Sequence, residues 1–172
     1  MNATNPMTVP TLSKVVVNMG VGEGAEKLQK AEKVLASLTG QKPARTFGKK
    51  PVRAWNVRAG QPIGCKVTLR GEKAQKFVAE ALSIRNNQVG DWSIDSQGNC
   101  SIGIGDHTDF SGQKYDPDVG IFGMDITLVI EKPGNRIKRR RILRAKVGKP
   151  QRVSRDEARA FLQETFKVEV VT

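Results

Sequence analysis

Two segments of the chain alternate apolar and polar residues in the way that half-buried β-strands do. The apolar positions are Val15, Val17 and Met19 in residues 14–19, and Cys65, Val67 and Leu69 in residues 65–70. The intervening positions are Lys14, Val16 and Asn18 in the first segment, and Lys66, Thr68 and Arg70 in the second. Because successive strand side chains point to opposite sides, a sheet of such strands covers a core with one face and exposes a basic, hydrogen-bonding surface on the other.

The rest of the pattern predicts further strands and three helices. Apolar residues at three- and four-residue steps predict helices over residues 25–38 and 72–84. A third helix is predicted after Ser154, because Ser154 and Glu157 have the spacing of a capping box. Strands are predicted over residues 41–47, 98–104 and 124–131, and residues 106–123, rich in Gly and Asp, are expected to be irregular.

These elements fit one α+β domain over residues 1–172, with an open, mostly antiparallel sheet and helices packed on one face. Glycines and prolines among basic residues predict a long projecting loop or hairpin over residues 48–62. Residues 133–153 are predicted to form a basic extension within the domain. Apolar residues are interleaved there, namely Ile137, Ile142, Leu143 and Val147, so we expect the extension to be partly anchored.

Charge points to the class of partner. The chain of 172 residues has a formal net charge of +12, and residues 33–71 contain no Asp or Glu. A surface this basic repels itself unless a polyanion neutralises it, so RNA or DNA is the favoured partner and the basic side of the sheet is predicted to face it.

Cysteine content and hydropathy predict the compartment. Cys65 and Cys100 both fall on apolar faces of predicted strands, which favours two buried thiols in a reducing cytoplasm over a disulfide. The first residues show no pattern of a secretory signal, and no apolar run reaches membrane-spanning length. We therefore expect a cytoplasmic protein without a membrane partner.

One glycine motif leaves a cofactor alternative open. Gly20, Gly22 and Ala25 match the dinucleotide-binding fingerprint between a predicted strand and a predicted helix. That fingerprint also needs an acidic residue about 20 positions later for the ribose, but residues 41–50 contain none. The motif is better explained as a tight turn with positive φ, in which backbone amides could also contact an RNA phosphate.

No catalytic or metal site can be assembled from the residue types present. His107 is the only histidine and is expected in a polar loop, so a zinc site lacks ligands. With one histidine, both cysteines on apolar faces and no Gly-x-Ser-x-Gly motif, no set of nucleophile, base and orienting residue can be assembled. We therefore predict a protein that is not an enzyme, with no cofactor, metal or small-molecule substrate.

Aromatic residues indicate how RNA would be bound. Trp55 lies between two arginines in the projecting loop, where an exposed ring could stack on a base or pack on a ribose. The polar strand faces carry no aromatic residue, so they are predicted to bind the backbone and shape of folded RNA.

Three segments are distinctive, namely KVVVNMGVGE at residues 14–23, PIGCKVTLRG at residues 62–71 and YDPDVGIFGMD at residues 115–125. They resemble the ribosomal protein L5 family, the universal large-subunit proteins that bind 5S rRNA. The similarity runs in order over nearly the whole chain. The GIFGMD segment and the basic residues after Pro133 are similar to archaeal and eukaryotic members rather than to bacterial ones.

The resemblance implies a cytoplasmic ribosomal protein of the central protuberance that anchors 5S rRNA. It also implies contacts with large-subunit rRNA, with neighbouring ribosomal proteins, with a small-subunit protein at an intersubunit bridge and with the P-site tRNA. By position, the 5S rRNA side is Lys14, Asn18, Lys66, Thr68 and Arg70, and the tRNA-facing residues are Lys49, Lys50, Arg53, Trp55 and Arg58. In the basic run, Arg136, Lys138, Arg139 and Arg140 are predicted to clamp rRNA phosphates.

Two alternatives from other classes remain. One is a free RNA- or DNA-binding regulator outside the ribosome, and the other is an NADP-dependent enzyme that uses the glycine motif.

Overall fold

A computed structural model describes residues 5–22 and 25–171. Among these residues are seven strands and three α-helices. The strands are β1 Thr11–Gly20, β2 Ala44–Phe47, β3 Pro62–Leu69, β4 Gln88–Gly90, β5 Cys100–Ile104, β6 Met124–Glu131 and β7 Glu169–Val171. The helices are α1 Ala25–Thr39, α2 Glu72–Ile84 and α3 Arg155–Phe166. The predicted α+β class is confirmed.

The main sheet has five strands in the order β2-β3-β1-β6-β5, and every neighbouring pair is antiparallel. The long central strand β1 pairs with β3 on one side and with β6 on the other. Its alternate residues Val15, Val17 and Met19 are almost completely buried. Helices α1 and α2 pack on this inner face, as predicted, and leave the outer face open.

Strong periodicity predicted the long elements accurately. The predicted bounds of α2 and β6 agree with the structure, and α1 ends one residue later than expected. The sequence analysis missed the two-stranded parallel sheet formed by β4 and β7. Each of these strands has three residues, too few to show an alternating pattern.

The predicted capping box at the start of α3 is present, and its glutamate also forms an ion pair with another part of the fold. Ser154 Oγ accepts a hydrogen bond from the Glu157 N–H, and the Glu157 carboxylate accepts one from the Ser154 N–H. The same carboxylate lies 2.7 Å from Nζ of Lys132, a buried lysine that follows β6. The hydrogen bond from Lys132 lowers the pKa of Glu157. The cap therefore also fastens α3 to the end of β6.

Both cysteines are buried free thiols, as predicted. Burial raises the pKa of Cys65 to about 11 and also raises the pKa of Cys100. The expectation for His107 was wrong, because its side chain is buried rather than exposed in a polar loop. Its Nδ1 accepts a hydrogen bond from the Phe122 N–H, which satisfies a polar atom of the ring in the core.

The glycine turn does not occur in the setting of a dinucleotide-binding fold. There a crossover helix returns to a parallel strand, whereas both neighbours of β1 are antiparallel to it. The N–H groups of Val21 and Gly22 both donate to the carbonyl of Ile63, at 3.1 and 2.9 Å. The suggestion that amides here bind phosphate is therefore wrong for these two groups. The rest of the turn, Glu23 and Gly24, lies outside the described residues.

We predict that Gly22 is needed for its backbone conformation. Its φ is +74°, and a Cβ there would meet nothing within 4 Å, so the cost of Gly22→Ala is conformational rather than steric. The free energy of unfolding, measured in urea, should fall by about 1–2 kcal/mol. The matched control is Gly20→Ala, which also meets open space but lies in extended backbone, and it should change stability little. Equal losses in the two variants would contradict this explanation.

Candidate nucleic-acid interface

Antiparallel pairing gathers the predicted 5S rRNA side on the outer face of the sheet. Asn18 pairs directly with Lys66. Lys14 and Thr68 lie on the same face at even spacings along their strands, and Arg70 follows the last residue of β3. Lys66, Thr68 and Arg70 are exposed, and Lys14 and Asn18 are half-buried. The structure therefore brings together the strand residues that the sequence analysis singled out.

The outer face is hydrogen-bonding throughout but is not uniformly cationic. On the side away from β3, Asn18 pairs with the acidic Asp125. The next row contains Ser101 and Thr127, whose hydroxyl oxygens lie 3.4 Å apart. Positive charge is thus concentrated on the β3 side and near Lys14. Such a face suits a folded RNA, whose phosphates and 2′-hydroxyls accept and donate hydrogen bonds in different places.

A cleft of about 560 Å³ lies between the outer face and the basic extension. Its cationic lining residues are Lys14, Lys138, Arg139, Lys146 and Arg152. Glu131 is the one acidic residue among those that line it. Strand face and extension were separate features in the sequence, and here they form two walls of one basic cleft.

The sequence analysis did not select two of these cations as binding residues. Lys146 lies in the basic run, so its charge was visible, but nothing in its spacing distinguished it. Arg152 follows the short helical turn Lys149–Gln151, and no sequence signal marks it. Only the path of the extension places both beside Lys14.

Glu131 holds the extension against the sheet. Its carboxylate lies 2.9 Å from Nζ of Lys138 and 2.7 Å from Nη2 of Arg139. Burial by itself opposes ionisation of Glu131, but hydrogen bonds from Lys138 and Ser13 and the charge of Arg139 outweigh it, so its pKa is lowered. Lys138 and Arg139, two of the predicted rRNA-binding residues, thus also attach the extension. Because they share one carboxylate, the group of three side chains keeps a net positive charge, which is available to a phosphate.

Three of the four predicted apolar anchors of the extension are wrong. Ile142 and Leu143 are 74% and 77% exposed, because residues 139–148 form no helix or strand that could give their apolar side chains a common buried face, and Ile137 is exposed as well. Val147 is half-buried. Polar contacts hold the extension instead. Gln151 donates to the carbonyl of Pro133 at 2.7 Å, in addition to the ion pairs at Glu131.

The other two predicted clamps, Arg136 and Arg140, are exposed. Arg140 Nε donates to the carbonyl of Leu143 at 2.7 Å, which closes the turn at the tip of the extension. Neither arginine has a carboxylate partner within the described residues. Their charges remain open to an anionic partner.

Residues 48–62 form a hydrogen-bonded hairpin that continues β2 and β3. At its base the Gly48 N–H donates to the carbonyl of Gln61, and the Gly60 N–H donates to that of Gly48. Further out, Val52 and Val57 form an antiparallel bridge. Trp55 lies at the tip and is 74% exposed, as the sequence predicted.

The hairpin carries the predicted tRNA-facing cations on its surface. They are Lys49, Lys50, Arg53 and Arg58, and all are exposed. None of them forms an ion pair with an acidic residue in the described part of the chain. The hairpin leads directly into β3 and lies near Gly20, whereas the basic cleft lies near Lys14, towards the other end of β1, so the two sets of cations occupy different ends of the sheet.

The described residues show no other kind of site. Within residues 5–22 and 25–171, no group of three His, Cys, Asp or Glu side chains could hold a metal ion. In the same ranges, no helix combines the length and the apolar character needed to cross a membrane.

Comparison with known proteins identifies the family. The family model described as "Ribosomal protein L5" matches residues 5–58, and the model of the C-terminal region of the same ribosomal family matches residues 62–165. The chain belongs to the ribosomal protein L5 family. This family consists of structural, non-enzymatic ribosomal proteins, so the prediction that the chain is not an enzyme is confirmed.

Individual relatives cover nearly the full length. A protein of Methanosphaera stadtmanae is 46% identical over 166 residues, which are 96% of this chain and 99% of the relative. A relative from Methanoregula boonei is 50% identical, over 92% of this chain and 96% of its own length. A relative from Thermoplasma volcanium is 48% identical, over 97% of this chain and 99% of its own length. Each is named large ribosomal subunit protein uL5. The archaeal character predicted from the sequence is confirmed, and both alternatives lose support.

We predict that Glu131→Gln loosens the extension. Removing the charge weakens both ion pairs, so trypsin should cleave after the basic residues at 136–149 several-fold faster near neutral pH. The control is Asp125→Asn, which removes an acidic charge from the same strand without an ion pair in the described residues. Equal protection in wild type and Glu131→Gln would show that other contacts hold the extension.

The same tether gives a pH dependence of defined sign. The folded-state pKa of Glu131 is lowered, so its ion pairs stabilise the extension above the usual glutamate pKa of about 4.3. This stabilisation is lost as the pH falls through the lowered folded pKa. The protection factors of amides in the extension, which correct hydrogen exchange for its intrinsic dependence on pH, should therefore fall in that acidic window more in wild type than in Glu131→Gln, which has no carboxylate to protonate.

Proposed function

We propose that this structural protein of the large ribosomal subunit binds 5S rRNA and anchors it in the central protuberance of the cytoplasmic ribosome. In this proposal it also contacts large-subunit rRNA and neighbouring ribosomal proteins, reaches the P-site tRNA with its hairpin and helps to bridge to a small-subunit protein. Family membership supports the ribosomal setting. The observation that carries the RNA assignment is the basic cleft beside the open outer face.

The outer face and the cleft suit a structured RNA. The face offers Lys66, Asn18 and Thr68 at pleated-sheet spacing, and no aromatic residue projects from its centre. Binding should therefore depend on phosphate and 2′-hydroxyl contacts rather than on base stacking there. The cleft adds cations on a second wall, so an RNA backbone could be gripped from two sides.

The hairpin suits a second RNA. Its base is fastened by the Gly48 and Gly60 hydrogen bonds, which limits splaying where it joins the sheet. Its cations have no acidic partners in the described residues, and Trp55 projects at the tip. Family resemblance directs this surface to the P-site tRNA.

We further propose that residues 1–172 act as a single domain. The two family matches meet between residues 58 and 62, inside the hairpin. Yet β1 from the first match pairs with β3 and β6 from the second, and one hydrophobic core includes residues of both. Two parts that share a sheet and a core should unfold together.

The first functional prediction concerns the outer face. Lys66→Ala with Arg70→Ala should weaken binding to a 5S rRNA transcript, and the slope of log K against log salt should become shallower by about one to two. The reason is that each lost phosphate contact removes the release of about one counterion. Filter binding over a range of salt concentrations measures both quantities.

The matched control for that experiment is Lys73→Ala with Lys76→Ala. Both residues are exposed on α2, which packs on the opposite side of the sheet. Each double variant removes two positive charges, so the change in net charge is the same. The control should keep most of the affinity. Equal weakening in the two double variants would mean that net charge matters and that the outer face is not the binding site.

The second functional prediction concerns the hairpin. Replacing Lys49, Lys50 and Arg53 with Ala should leave 5S rRNA content of purified ribosomes unchanged and should speed dissociation of P-site tRNA by about 2- to 10-fold. The effect is modest because exposed phosphate contacts are individually weak and are screened by salt.

The control here preserves charge, with Lys49→Arg, Lys50→Arg and Arg53→Lys in one variant. It should release P-site tRNA at close to the wild-type rate. Loss of 5S rRNA with normal tRNA dissociation in the Ala variant would make the hairpin an assembly element and overturn the tRNA assignment.

A further inference from the structure

A second tryptophan, Trp92, is as exposed as the one on the hairpin. Its side chain is 78% exposed, although tryptophan is highly buried on average. It lies in the short helical turn Asp91–Ser93, which connects β4 with β5. Because β5 is the last strand of the main sheet, this ring stands at the edge of the sheet opposite β2 and the hairpin.

The turn that carries Trp92 is fixed to the rest of the fold. The Asp91 carboxylate lies 2.8 Å from Nη2 of Arg155 and also pairs with Arg159, and both arginines belong to α3. Arg155 donates to the Asp91 carbonyl as well. Ser93 Oγ donates to the carbonyl of Gly90 at 2.6 Å. Side-chain contacts therefore hold the residues on both sides of Trp92.

The indole ring of Trp92 packs against the backbone of Gly90. A Cβ placed on Gly90 would lie only 2.4 Å from the indole, so the absence of a side chain there lets the ring approach closely. An exposed aromatic ring with a supported position loses little conformational entropy when a ligand stacks on it.

An open cleft of about 450 Å³ adjoins the ring. Its polar lining residues include Arg85, Gln88 and Ser101. Ser101 pairs with Thr127 and Gly103 pairs with Asp125, which places both on the outer face of the sheet. The cleft is thus continuous with the surface proposed to bind rRNA, and Gly103 has no side chain that could obstruct a flat ligand.

We infer that Trp92 is a stacking platform for an unpaired base of rRNA, with the edges of the base hydrogen-bonded by polar groups of the adjoining cleft. This inference rests on the proposed rRNA-binding function. The lining is mixed, with Val89, Ile102 and Val171 beside the polar residues. A base suits such a lining better than an apolar protein segment does, because a base has a π-face for the indole and hydrogen-bonding edges for a guanidinium, an amide and a hydroxyl. Stacking on aromatic side chains tolerates any base, so the site sets position rather than sequence.

Tryptophan fluorescence gives a direct test, because the chain contains only two tryptophans. In a Trp55→Phe background, Trp92 is the sole tryptophan emitter. Titration with a 5S rRNA transcript, and separately with transcripts of large-subunit rRNA, should quench its emission and protect it from acrylamide. Quenching by either transcript supports the stacking site, and the comparison shows which rRNA supplies the base.

Binding measurements on variants provide the second test. Trp92→Ala should weaken binding to the quenching transcript by about 5- to 100-fold, and Trp92→Phe should recover most of that loss because it keeps an aromatic face. The control is Tyr115→Ala, which removes another exposed ring from an irregular segment and should have little effect. Circular dichroism should show that the exposed Trp92 can be replaced without unfolding.

The outcomes separate this inference from the proposed function. If the transcripts bind with a steep salt dependence but leave Trp92 emission and acrylamide access unchanged, the stacking site is wrong and rRNA binding stands. If no transcript binds the wild-type protein, the proposed function is wrong, and the stacking site, which depends on it, is wrong as well. If Trp92 is shielded only in assembled subunits and never by free rRNA, a protein covers it and the base is excluded.

Discussion

Pairing of β1 with both β3 and β6 is the constraint on which the rest of the structure depends. In this register Val15, Val17 and Met19 face the helices, and the alternate positions face outward. A slip of one residue would exchange the two faces, exposing the apolar set and burying Lys66 beneath α1. Core formation and presentation of the basic surface are therefore consequences of a single register.

Some of the positive charge is neutralised by ion pairs that join different parts of the fold. Glu157 forms an ion pair with the buried Lys132, and Glu131 forms ion pairs with the extension. Arg45, on β2, pairs with Glu32 of α1 at 2.5 Å and ties the sheet edge to the helix. Elsewhere the cations of the outer face and hairpin have no such partners in the described residues. Repulsion among these cations is relieved when a polyanion binds, so the same charges that stabilise the complex destabilise the unbound protein.

Periodicity in the sequence determined the long elements, the two faces of the sheet and the chemistry of the outer one. These follow from local backbone geometry, because alternation and three- to four-residue spacing are properties of single strands and helices. Two of the three motifs that resemble the family lie in strands or the turns beside them, and the third, at residues 115–125, lies mostly in the irregular segment before β6. The positive φ of Gly22 was likewise predictable, since the glycine stands between a strand and a helix.

Tertiary structure alone decided which distant residues meet. Lys14 shares a cleft with Lys146 and Arg152 only because the extension folds back over the sheet. The sequence predicted apolar anchors for that extension, whereas the structure uses Glu131, since an irregular segment gives its side chains no common face. Trp92 gave no signal because the turn that carries it is held by contacts between Asp91 and α3, which lies far along the chain. Such contacts depend on the path of the whole chain, which no local pattern records.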